Sequence, residues 1–127
     1  MPKIYLLDVT NRDGVQTARL GLAKLEKTLI NMYLNDMGVL QSEFGFPVTR
    51  HETRYLRANL ELARLGRMNK IRLGGWIRAV VGDVKTAFTR VPDIEHLNLS
   101  ISTSPQMING KFQGKKTFKS IIEDMTQ

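Results

Sequence analysis

The amino-acid sequence predicts an α/β fold in which parallel strands alternate with helices. Short apolar runs that read as strands start near residues 3, 39, 71 and 95, and each leads into a stretch whose apolar residues recur at helical spacing. Such βα alternation puts helical crossovers between successive strands, which makes the sheet parallel. The crossovers are right-handed, so all strand C-termini fall at one end, the end where α/β proteins bind ligands.

The first strand is expected over Lys3–Val9, where Ile4, Leu6, Leu7 and Val9 precede the polar run Asn11-Arg12-Asp13-Gly14. In the next helix Leu22, Leu25, Leu29, Met32 and Tyr33 share helical spacing, with Lys24, Glu26, Lys27 and Asn31 on the other side. Gly38 stops that helix. A second strand, Val39–Phe44, runs into Gly45 and Pro47. Thr49-Arg50-His51-Glu52 has the S/T-x-x-E form of a capping box and opens a helix with Tyr55, Leu56, Leu60 and Ala63 inward, closed by Gly66. The third apolar run, Ile71–Val81, holds Gly74, Gly75 and Arg78. Asp83 is placed to cap a short helix with Val84, Ala87 and Phe88 inward, ending before Pro92. His96–Ile101 is the fourth strand, followed by Ser102-Thr103-Ser104 and a loop rich in Gly and Lys. A last helix starts at Thr117 as N-cap, with Phe118, Ile121, Ile122 and Met125 inward.

At 127 residues the chain suffices for one domain with a core, and 42% hydrophobic against 24% charged residues is a globular balance. No apolar run approaches the ~20 residues of a membrane helix, and MPKIYLLDV lacks the length and cleavage site of a signal peptide. The absence of cysteine excludes disulfides and zinc–thiolate sites and fits a cytoplasmic protein. The net charge of +7 suits nucleic acid, a membrane surface or an anionic substrate. However, basic residues are scattered apart from Lys111, Lys115, Lys116 and Lys119. No aromatic–basic alternation or helix-turn-helix pattern accompanies them, which argues against nucleic acid. Neither G-x-G-x-x-G nor G-x-x-x-x-G-K-[ST] occurs, which argues against a nucleotide-binding doubly wound fold.

The strand ends carry the chemistry. The expected topology brings Arg12–Gln16, Glu43, Arg78 and Ser102–Ser104 to one rim. Asp13 offers a hard carboxylate oxygen suited to Mg²⁺, Mn²⁺ or another divalent ion. Arg12 offers a fork of donors for a carboxylate or developing oxyanion. Gly14 lets backbone approach a ligand, Gln16 can hydrogen-bond a carbonyl, and Glu43 can accept or carry a proton. Each has a plainer reading as well. N-R-D-G is a good turn sequence, an Arg–Asp pair can be a loop salt bridge, and Arg78 can simply pair with Asp83. Glu52 is better placed for capping than for catalysis.

"DVTNRDGVQ" resembles the D-T-T-L-R-D-G-x-Q signature of the metal-dependent, Claisen-condensing TIM barrels, the family of homocitrate synthase, isopropylmalate synthase, re-face citrate synthase and hydroxymethylglutaryl-CoA lyase. "SEFGFP" is similar to that family's second strand, "GWIRAVVGDV" to its third and "HLNLSISTSPQMINGKF" to its fourth, across nearly the whole chain. Val9 and Asn11 stand where the family more often has Thr and Leu. The resemblance implies that Arg12 binds the keto oxygen of a 2-oxo acid and stabilises the alkoxide formed on attack. It implies that Asp13 ligates a divalent metal (Mg²⁺ or Mn²⁺, with Zn²⁺ an option), while Gln16, Glu43 and Arg78 bind substrate. The implied reaction joins acetyl-CoA to a 2-oxo dicarboxylic acid, oxaloacetate or 2-oxoglutarate, in the manner of re-face citrate synthase or homocitrate synthase.

A complete (βα)₈ barrel takes about 250 residues. Four βα units over residues 1–127 therefore make a single partial domain, the N-terminal half of a TIM barrel. The family's H-x-H metal pair does not occur here. The expectation is an acyltransferase that is active only when completed: as a piece of a longer synthase, by a C-terminal half-barrel subunit, or by a second copy of the chain. The alternative is a non-catalytic basic interaction module that retains the fold.

Overall fold

Four strands pair in the order β1-β2-β3-β4, every pairing parallel, in a computed structural model that describes residues 2–126. They are β1 (Leu7–Asp8), β2 (Gln41–Gly45), β3 (Arg72–Arg78) and β4 (His96–Ser100). The crossovers are α1 (Lys24–Asp36), α2 (Arg50–Arg64) and α3 (Val81–Arg90), and α4 (Pro105–Phe112) and α5 (Phe118–Met125) follow β4. Parallel neighbours in sequence order, each joined by a helix, are the arrangement of the first half of a (βα)₈ barrel. Among the described residues no helix is long and apolar enough to cross a membrane.

Alternation along the strands sorts the two sheet faces. Phe44, Leu73 and Ile77 are buried. Phe44 and Leu73 join Tyr55, Leu56, Met68, Ile71, Val91 and Ile94 in the main core. Burying each large apolar side chain contributes roughly 1.5–3 kcal/mol. The opposite face carries Gln41, Glu43, Trp76 and Asn98. Gly38 and Gly66 take left-handed φ values of 77° and 78° where α1 and α2 end, as expected of helix-stopping glycines.

The structure corrects several expectations. The first strand shrinks from Lys3–Val9 to two residues. Only Leu7 and Asp8 pair with β2, and nothing among the described residues pairs with the outer edge. The preceding Ile4, Tyr5 and Leu6 are exposed. Asp8 then ends the strand by accepting from the Thr10 backbone N–H (3.0 Å) and hydroxyl (2.9 Å).

Helix α1 turns a polar stripe inward. Lys27, Asn31 and Asn35, four residues apart, are buried, while Leu25, Leu29 and Tyr33 face out. A barrel helix packs on the sheet and on two neighbours; among the described residues only α2 flanks α1, so its other apolar flank is bare there.

The capping box at Thr49 does not form. Thr49 is the N-cap, but its hydroxyl donates back to the Phe46 carbonyl (2.9 Å). Glu52 accepts from the Phe46 N–H and from Lys27 Nζ, both at 2.6 Å, because that buried ammonium needs a counter-charge. Asp83 is not an N-cap either. Val80 holds that position, and Asp83 is drawn to Arg78. Phe88, Phe118, Ile122 and Met125 are exposed rather than inward, and in their helices Ala87 and Ile121 are the buried apolar residues. Thr117 does cap α5, accepting from the Ser120 N–H at 3.1 Å. The Gly- and Lys-rich segment expected as loop contains α4, capped by Ser104 with Pro105 in its first turn.

Candidate active site

The segment after β1 curls around one acceptor. The N–H groups of Arg12, Asp13 and Gly14 all donate to the Val9 carbonyl, at 3.2, 2.8 and 3.1 Å, and a short 3₁₀ turn spans Gly14–Gln16. This coil sends adjacent side chains to opposite faces. Asn11 is buried, donating from Nδ2 to the Lys27 carbonyl (2.8 Å) and to Asn31 Oδ1 (2.9 Å). Asn31 in turn donates to the Tyr55 hydroxyl and to Asn59 Oδ1, both at 3.0 Å, and accepts from Ser42 Oγ at 3.2 Å. One polar network thus fastens the motif to α1, β2 and α2. Within it, burial pushes the Tyr55 phenol far above its ordinary range, against the opposing hydrogen bond from Asn31.

Arg12 lies on the other face. Its guanidinium stacks on Trp76, 3.9 Å from the ring centroid, with Nη1 bonded to Asp13 Oδ1 (2.6 Å) and Nε 3.4 Å from Glu43 Oε2. That last contact is an ion pair without hydrogen-bond geometry, so the buried Nε has no acceptor among the described residues. Glu43 Oε1 accepts from Asn98 Nδ2 (2.9 Å), and Asn98 Oδ1 accepts from Gln41 Nε2 (3.1 Å). The chain from β2 to β4 passes over Gly74 of β3, where a Cβ would stand 2.9 Å from Gln41 Nε2. A register shift between Glu43 and Gly45 bends β2 beside this cluster.

The structure therefore brings Arg12, Asp13 and Glu43 together. Gln16 lies in the 3₁₀ turn with its side chain exposed and makes no hydrogen bond among the described residues. Arg78 ends β3 with Nε and Nη2 bonded to Asp83 at 2.8 and 2.7 Å, leaving Nη1 as its open edge. That pairing holds the buried Asp83 carboxyl below the usual aspartate range. Ser102 accepts from Lys111 Nζ (3.3 Å), and Ser104 is spent on capping α4. The sequence reading passed over Gln41, Trp76 and Asn98. Their signal was the period-two alternation itself, since they share the face opposite Ser42, Leu73 and Leu97.

Asp13 Oδ2 is the oxygen that Arg12 leaves open, on a side chain 60% exposed. It fits a hard divalent ion as a single ligand. No group of three or more potential ligands stands together among the described residues.

A parallel half-barrel with an arginine and two carboxylates at its rim, the arginine stacked on an indole of β3, defines a rim-type ligand site of the (βα)₈ class. The model of the HMGL-like family matches residues 3–127, and the chain belongs to that family. It is similar to the citrate (Re)-synthase of Dehalococcoides mccartyi, 71% identical over 126 residues, which cover 99% of this chain and 30% of that protein. It is also similar to 2-isopropylmalate synthase 2 of Caldanaerobacter subterraneus, 35% identical over 124 residues (98% and 30%). Homocitrate synthase 1 of a Nostoc species is 33% identical over 115 residues (91% and 29%). The chain thus spans less than a third of the length of these curated relatives.

Proposed function

We propose that the chain supplies the first half of the rim of an acyl-CoA-dependent condensing site, joining acetyl-CoA to a 2-oxo dicarboxylic acid. The 71% identity to a citrate (Re)-synthase favours oxaloacetate over 2-oxoglutarate. The observation that carries the reading is Arg12, a guanidinium fixed by Asp13, Glu43 and the Trp76 face at the C-terminal end of the first strand.

Arg12 holds the keto oxygen of the acceptor and meets the alkoxide that develops there, as preorganised donors do at other oxyanions. Arg78 offers its Nη1 edge to a substrate carboxylate, and Asp83 keeps it from swinging away. Glu43 and Gln16 line the pocket. Asp13 would be one oxygen ligand of a divalent ion (Mg²⁺ or Mn²⁺), which when bound polarises the acceptor carbonyl as a Lewis acid. The remaining ligands and the base that deprotonates acetyl-CoA come from further polypeptide. Two bare flanks support such a completion: Ile4, Tyr5, Leu6, Leu25 and Tyr33 at the β1 side, and Leu99, Phe118 and Ile122 at the other.

The test is co-expression with a C-terminal half-barrel, followed by CoA release with Mg²⁺ or Mn²⁺ and either oxaloacetate or 2-oxoglutarate. Release is expected with oxaloacetate and lost on Arg12→Ala. No release with any 2-oxo acid refutes the proposal and leaves the interaction module standing.

A further inference from the structure

We propose that Asn98 is a positioning residue for Arg12, acting through Glu43, with Gln41 holding Asn98 in turn. The inference deepens the reading of the rim above, and rests on that reading only for the purpose Arg12 serves.

Three observations carry it. First, Arg12 lacks a hydrogen bond to Glu43. Its Nε is buried without an acceptor among the described residues, and the pair is held at 3.4 Å by charge alone. An ion pair of that kind sets direction poorly, so the location of the Glu43 carboxylate decides where the guanidinium sits. Second, Glu43 is nearly buried and has one hydrogen-bond donor among the described residues, Asn98 Nδ2 at 2.9 Å. Without it the carboxylate is free to rotate toward Nε or away from the ring. Third, Asn98 is oriented from behind: Gln41 Nε2 takes its carbonyl oxygen, which fixes the amide with its NH₂ toward Glu43. Gly74 keeps the path open, since a Cβ there would press on Gln41. The product of this chain is the stack of Arg12 on Trp76, with Nη2 left without a protein partner among the described residues.

The arrangement is readable without any reaction, because Trp76 is the only tryptophan. In nitrogen–proton correlation spectra of this chain, the Arg12 Nε–Hε resonance should be displaced upfield by the indole ring current and should exchange slowly with water. It is assigned by its disappearance in Arg12→Lys. Asn98→Leu should abolish both the displacement and the protection while the backbone amide pattern of the sheet persists. Gln41→Met should reduce the displacement by a smaller amount, and decides the question if Asn98→Leu does not fold. An Arg12 resonance unchanged in these variants would reduce Asn98 to a structural residue and overturn the proposal. CoA release by the chain co-expressed with a C-terminal half-barrel provides a separate arm. No release there with any 2-oxo acid, with the Arg12 resonance still dependent on Asn98, would fault the assigned reaction and leave the positioning intact.

Discussion

Replacing Asn31 with leucine should destabilise the fold strongly. Asn31 is fully buried and makes four side-chain hydrogen bonds, to Asn11, Ser42, Tyr55 and Asn59. At about 0.5–1.5 kcal/mol net for each bond, their loss amounts to roughly 2–6 kcal/mol. Leucine has nearly the same shape, so little of the cost comes from an empty cavity. The partners differ in what they keep. Asn11 Nδ2 retains the Lys27 carbonyl and Asn59 Nδ2 retains Thr28 and the Tyr55 carbonyl, whereas Asn59 Oδ1, the Tyr55 hydroxyl and Ser42 Oγ are orphaned. Each orphan costs about 1–3 kcal/mol, which places the expected loss at about 3–5 kcal/mol. That is a large part of the 5–15 kcal/mol typical of a domain. Urea unfolding followed by Trp76 emission would show it as a midpoint lowered by roughly 1–5 M, given slopes of about 1–3 kcal/mol/M. Tyr55→Phe shares one of the four bonds, so the double variant should cost less than the two singles combined. A loss below about 1 kcal/mol for Asn31→Leu would show that water or relaxation satisfies these groups, and would refute the hub.

Glu52→Ala leaves Lys27 Nζ charged and buried, and should cost about 3–5 kcal/mol. Adding Lys27→Met should recover part of that loss, and chemical denaturation of the three variants checks both signs. In Gly45→Ala the new Cβ would stand 2.6 Å from Glu52 Oε2 and 2.9 Å from Leu56 Cδ2. Both neighbours are pinned, so a destabilisation of about 1–3 kcal/mol is expected in the same assay. Asp83 has its carboxyl depressed in the folded state by Arg78, so its contribution is fully present above the unfolded-state value of about 3.9. The contribution fades as pH falls from there through the lower folded-state value. Asp83→Asn should therefore flatten the acid limb of a stability–pH curve.

Much of this architecture was legible because period and punctuation agreed. β2, β3 and β4 fall within their expected runs to within a residue or two and three at the end of β3, because each is flanked by a paired strand and backed by the core. β1 had an equally apolar sequence, but Leu7 already pairs with Gln41, the first residue of β2, so the residues before it have no strand beside them, which no local pattern reveals. Spacing located α1 but not its inward face. Its buried stripe is Lys27, Asn31 and Asn35, and only the long-range partners Asn11, Glu52 and Tyr55 make such burial tolerable. α4 was missed although Ser104-Pro105 is a good N-cap and first position, since Gly110 and the surrounding lysines read as loop. At the rim, Arg12, Asp13 and Glu43 stood out as charges at strand ends. Gln41, Trp76 and Asn98 lie within strands, where their meaning depends on which strands are neighbours.

The motif is held from two sides of the sheet at consecutive residues. Asn11 enters the helix-side network, and Arg12 enters the chain on the opposite face through Trp76 and Glu43. These supports share no side-chain hydrogen bond, which makes their failures separable. Asn31→Leu should lower the unfolding midpoint yet keep the Arg12 Nε–Hε resonance over the indole, because Asn11 still grips the Lys27 carbonyl. Asn98→Leu should release Arg12 while costing less, about 1–3 kcal/mol for two half-buried bonds. If both variants moved both readouts in proportion, the two faces would form one cooperative unit. Asn11 would then position Arg12 as strongly as Asn98 does.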